Sequence, residues 1–169
     1  MSASLESLGL LVEFSIGLAG FSAIVSVFLQ RSSQLSALDR LRTLNLLLFA
    51  LLPAFIVFTC IGFESILADL DLAVRISSAA LAGCLLIFVI FIPSRLNRLP
   101  SDQRDLIRTS AFPSLLVAVV GNIIAQTLSS ITLEGGVAFG TLFFGLSVVL
   151  LQGVIQFVWI IIARPTDAA

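Results

Sequence analysis

Residues 137–162, VAFGTLFFGLSVVLLQGVIQFVWIII, carry no charged side chain. Coiled as a helix at 1.5 Å per residue, this stretch is ~39 Å long, more than the ~30 Å of hydrocarbon in a bilayer. A lone strand is excluded, because lipid offers nothing to bond its backbone groups. The surplus length predicts tilt, or emergence of the last turn beside Trp159.

Four further apolar runs precede it, at 8–29, 44–63, 73–92 and 113–131. Each is close to the ~20 residues a helix needs to cross a membrane. Of the 169 residues, 59% are apolar and 11% charged. A soluble domain carries about a quarter charged residues. The expectation is an all-α fold: one transmembrane domain over 1–169, a polytopic bundle of five membrane-spanning helices. Their expected bounds are about 5–29, 43–63, 73–92, 111–131 and 137–162. The segment before the first run holds one acid, Glu6, and no basic residue, so the first run reads as a retained helix and not a cleaved signal.

The connectors alternate in charge. Arg31, Arg40 and Arg42 lie in the first, and Glu64, Asp69 and Asp71 in the second. Arg95, Arg98, Arg104 and Arg108 lie in the third, Glu134 in the fourth, and Arg164 in the tail. Basic residues stay on the cytoplasmic side. The amino terminus is therefore expected outside and the carboxyl terminus in the cytoplasm, with Arg75 the one basic residue off the pattern. Ser36 is expected to cap the second helix, and 100–108 to form a short polar helix that ends where Pro113 kinks or breaks the chain. DRLRT at 39–43 and RDLIRT at 104–109 echo one another, which would suit a duplicated hairpin.

Composition removes several chemistries. There is no histidine and no tyrosine, and Cys60 and Cys84 sit in different apolar runs as small core thiols. No nucleotide loop, nucleophile–base pair or metal-ligand spacing occurs. The expectation is a protein that is not an enzyme and holds no cofactor or metal. All nine basic residues are arginines, eight of them in the connectors and the tail, where they set topology and do not suggest nucleic acid as a partner. The expected surroundings are the lipid bilayer.

Polar side chains inside the runs are the places to look for function, because each is costly in lipid. Glu13 lies well inside the first helix. A charged side chain there costs about 2.5–3.5 kcal/mol, so it is neutral or partnered, and Arg75 is the expected partner. A structural ion pair and a proton- or ion-binding role are both open. Asn122 and Gln126 share a face of the fourth helix, as Gln152 and Gln156 do on the fifth, with Ser147 near the depth of Asn122. They are expected to form a polar seam: either the wall of a hydrated path or plain interhelical hydrogen bonding at about 0.6 kcal/mol per contact. Gly17 and Gly20, Gly83, Gly121, and Gly136 with Gly140 are candidates for close helix packing, within one chain or between copies.

EFSIGLAGFS at 13–22, DRLR at 39–42 and LLPA at 51–54 resemble parts of small bacterial integral membrane proteins of no assigned function. The resemblance covers the first third of the chain and implies an address, the bacterial inner (plasma) membrane.

Two functions fit. The first is a small homo-oligomeric, channel- or transport-like protein, with Glu13, Asn122, Gln126, Gln152 and Gln156 lining or supporting the route. The alternative is a non-catalytic accessory, scaffold or sensor protein that acts through a membrane or cytoplasmic protein partner. A lipid-modifying enzyme would need an interfacial cluster. Glu64, Asp69, Asp71 and Arg75 come nearest, and they read better as a solvated acidic loop.

Overall fold

The computed structural model describes residues 3–32, 37–97, 100 and 112–162. These residues are all-helical, with no strand among them. The helices are α1 (Ala3–Ser32), α2 (Ala37–Leu67), α3 (Leu70–Leu96), α4 (Phe112–Thr132) and α5 (Gly135–Ile162). All five are long and apolar enough to cross a membrane. Most run past the apolar stretches that announce them, because a helix continues through polar residues until a cap stops it. Pro113 sits in the first turn of α4, where the missing N–H costs nothing, and the segment it was expected to kink or break away from lies outside the described residues. Ser36, the 101–108 segment and the second half of the DRLRT echo lie outside the described residues.

Two tight turns set the topology. Ala68 takes a left-handed backbone conformation (φ 53°) and its N–H donates to the Glu64 carbonyl at 2.9 Å. Asp69 Oδ1 then accepts the Leu72 N–H at 3.0 Å and caps α3. Gly135 (φ +58°) opens α5. Arg75 ties the α4–α5 turn to the outer part of α3, so both turns share one end of the bundle. That end carries Glu64, Asp69, Asp71 and Glu134, and the opposite end carries Arg40, Arg42 and Arg95.

The centre belongs to α2, α3 and α5. Half of α2's apolar window is buried, against 22% for α1 and for α4. α1 lies across α2 and α5, and α4 across α3 and α5. Phe49, Ile56 and Val57 of α2 interlock with Val74, Leu81 and Leu85 of α3 and with Leu142, Leu146 and Val149 of α5. Phe88 meets Phe49 edge to face at 4.8 Å.

Size is sorted inside out. α1 turns Ser15, Ala19, Ser22 and Ser26 inward and leaves Phe14, Ile16, Phe21 and Ile24 exposed. The small inward face lets α1 lie close on α2. Pro53, buried in mid-α2, has no N–H to offer the turn before it, and the Ser15 hydroxyl donates to the Ala50 carbonyl in that turn. Gly153 of α5 passes the same place, where a Cβ would stand 3.6 Å from the Ala50 nitrogen.

Candidate functional site

The polar residues of the apolar helices occupy three separate stations. The largest is the α4–α5 contact. The Ser129 hydroxyl faces the Ala138 carbonyl at 3.5 Å, and Gln126 Nε2 donates to Thr141 O at 2.9 Å. Asn122 Nδ2 donates to Gly145 O at 3.0 Å, and Gln152 Nε2 donates to Leu115 O at 3.3 Å. Each step back along α4 is matched by an equal step forward along α5, which is an antiparallel ladder in a single register. The α4 positions 115, 119, 122, 126 and 129 advance by fours and threes, the spacing of a coiled-coil seam.

Gly145 makes the ladder possible. A Cβ there would overlap Gln126 Nε2 and stand 2.6 Å from Asn122 Oδ1. Gln126 Nε2 also donates to Asn122 Oδ1 at 3.2 Å, so the two amides act as one unit against a helix face with no side chain. Sequence reading missed Gly145. The clue was present, because the short turn after Thr132 puts residue 145 opposite residue 122.

The amides thus lie at two levels of one seam and not on two facing walls. Asn122 and Gln126 form one level, Gln152 and Gln156 the other, and buried Val119 and Val149 lie between them. The lower level borders a cavity of about 20 Å³ lined by Phe49, Phe88, Leu116 and the two glutamines. It has room for about one water. Gln126 Oε1, Gln152 Oε1 and Gln156 Oε1 are buried and have no hydrogen-bond partner among the described residues. Ser147 does not join the seam, since its hydroxyl donates to Phe143 O on its own helix at 2.9 Å.

The second station is Arg75, which pairs with Glu134 at 2.9 Å. The expected pairing with Glu13 is not formed. Arg75 is on α3, which packs on α2, α4 and α5, whereas α1 packs on α2 and α5. The arginine off the charge pattern is thereby neutralised by an acid at its own end of the bundle.

Glu13 is the third station, and it is exposed on the outer face of α1. The Ser15–Ala50 hydrogen bond fixes its depth. Two residues nearer the acidic end, Glu13 is level with Leu52 and Pro53, the middle of α2's Arg40–Leu67 apolar span. Gly17 and Gly20, also exposed, continue its face along the helix. No salt bridge or hydrogen bond to the Glu13 carboxylate is formed among the described residues.

The glycines expected to pack helices do not do so within the chain. Gly17, Gly20, Gly83, Gly121, Gly136 and Gly140 have nothing within 4 Å of a Cβ position. Gly145 and Gly153 are the glycines at close crossings. Cys60 is buried and Cys84 half-buried, both free, and no metal-binding group of histidine, cysteine or acid occurs among the described residues. Comparison of the chain with known protein families, curated proteins and solved structures finds no match.

Proposed function

We propose that the protein is a multi-pass protein of the bacterial inner membrane, with its amino terminus outside and its carboxyl terminus in the cytoplasm. It assembles as a homo-oligomer in which α1 faces the shared axis and Glu13 carboxylates line a route for protons or small cations. The observation that carries this reading is the outward placement of Glu13 at mid-depth. A charged group facing hydrocarbon there costs about 2.5–3.5 kcal/mol, and neighbouring copies with a hydrated axis remove that cost. Gly17 and Gly20 leave room beside it for a second helix to approach. The charge separation between the two ends supports the orientation.

The α4–α5 seam offers no comparable route among the described residues. The side-chain amides of Asn122, Gln126 and Gln152 donate to backbone carbonyls, and the seam cavity has room for about one water. Conduction therefore belongs between copies.

The test combines copy number with flux. Purified protein in liposomes is expected to pass protons or monovalent cations, and Glu13→Gln to abolish the flux at unchanged copy number. Gly17→Cys is expected to form disulfide-linked dimers on mild oxidation. A monomer with no flux under any gradient removes the reading. A stoichiometric foreign protein bound through α1 favours the alternative, an accessory protein whose Glu13 meets a basic residue of its partner.

A further inference from the structure

A groove of about 380 Å³ runs between α2 and α3. Its α2 wall begins at Leu41 and ends at Leu52, and its α3 wall begins at Arg95 and ends at Cys84. The two helices are antiparallel through the Ala68–Asp69 turn, so Leu41 is level with Arg95 and Leu52 with Cys84. Eleven helical residues separate the ends, or ~16 Å at 1.5 Å per residue. That is about half of the ~30 Å hydrocarbon thickness. The groove therefore reaches from the basic end of the bundle to mid-depth, one leaflet deep.

Its chemistry changes along its length. Its walls are aliphatic and aromatic, with Leu44, Leu48, Ile87 and Phe91 all exposed along them. The mouth holds two polar side chains, Asn45 and Arg95, and neither has a partner among the described residues. A cation and a free amide at the interface, above an apolar channel one leaflet long, complement an amphiphile with an anionic head and a single chain in the groove.

The geometry points to a binding site for an anionic phospholipid, its phosphate on Arg95 and Asn45 and one acyl chain along Leu44, Leu48 and Phe91. The lipid fills the groove between the two helices, over a floor of buried Leu52 and Ile92. This site requires that the bundle lie in a bilayer, and it is independent of how many copies assemble through α1.

Native mass spectrometry of the intact protein, with bound lipid counted per chain, tests it. Phosphatidylglycerol and phosphatidylcholine with identical acyl chains are titrated separately. One phosphatidylglycerol per chain is expected to persist at concentrations where phosphatidylcholine is lost, with about a five-fold preference from the single arginine. Arg95→Gln is expected to bring that preference close to one. Leu48→Trp, which fills the groove, is expected to lower retention of both lipids. Asn45→Leu supplies a second variant at the mouth and, because both lipids carry the phosphate its amide would bond, is expected to weaken both while leaving the preference in place. Equal retention of the two lipids by the unaltered protein overturns the proposal, as does an Arg95→Gln variant that keeps the preference. The Glu13→Gln variant should bind lipid normally, which separates failure of this site from failure of the α1 assembly.

Discussion

Gln126 and Glu13 are both polar side chains deep inside apolar helices, yet α4 and α5 enclose the first completely while the second stands on the outside of α1. The difference lies in what each can bond. Gln126 reaches two acceptors, and the helix opposite presents Gly145 where a side chain would block it. Its amide nitrogen holds the hairpin together in one register. Glu13 has no such neighbour among the described residues. Gln126, enclosed by the bundle, serves the fold, and Glu13, turned outward, is left for the encounter proposed above.

The largest blow to this contrast is Gly145→Val. The new side chain takes the space of the Gln126 and Asn122 amides, combining overpacking of about 1–3 kcal/mol with loss of two cross-helix hydrogen bonds. The variant is expected to unfold well below the parent protein in a thermal melt followed by circular dichroism in detergent. Gly145→Ala should be milder, and pairing it with Gln126→Ala should recover part of the loss. Additive effects in that pair would break the link between glycine and amide.

Next comes Gln126→Leu. Loss of its bonds, each worth about 0.6 kcal/mol and at most about 1.7, predicts a decrease of about 1–2 kcal/mol in stability. Steric trapping or reversible unfolding in mixed micelles measures it. Ser15→Ala, which removes the donor beside the Pro53 turn, should cost about 0.6 kcal/mol by the same measurement.

Glu13→Gln sharpens the other side of the comparison. The protomer should keep its stability to within about 0.5 kcal/mol, because the side chain touches nothing that folding requires. The change should appear only in flux or assembly. A large loss of protomer stability would place Glu13 with the structural residues. A small effect is also expected for Glu134→Gln. Its pair with Arg75 is mostly solvent-exposed, so about 0.2–1 kcal/mol is at stake and high salt should erase it.

The helices themselves were legible in the chain, as the near agreement of 111–131 with Phe112–Thr132 illustrates. So was the antiparallel amide contact in outline, because pairs four residues apart must share a face. Its partners were not. Asn122 and Gln126 bond to backbone carbonyls, which every residue owns and no residue type advertises. The glycines that pack within the chain were hidden for a related reason. Gly121 and Gly140 fit the same small-residue spacing as any packing motif, but spacing does not say which face meets a neighbour. Arg75 illustrates the limit for charges: Glu13 and Glu134 were both acids it could have met, and the depth and packing order of the helices chose between them.

Run length and charge placement were enough to give five helices, each suited to cross a membrane, and the expected sense of their threading. Those features depend on transfer between solvents, which sums over residues whatever surrounds them. The azimuth of each helix is a different kind of quantity. In hydrocarbon both faces of a greasy helix are equally comfortable, so no period in the sequence marks the inner one. Close contact marked it here: serines of α1 against α2, amides of α4 against a bare turn of α5, and Glu13 left facing away from all of them.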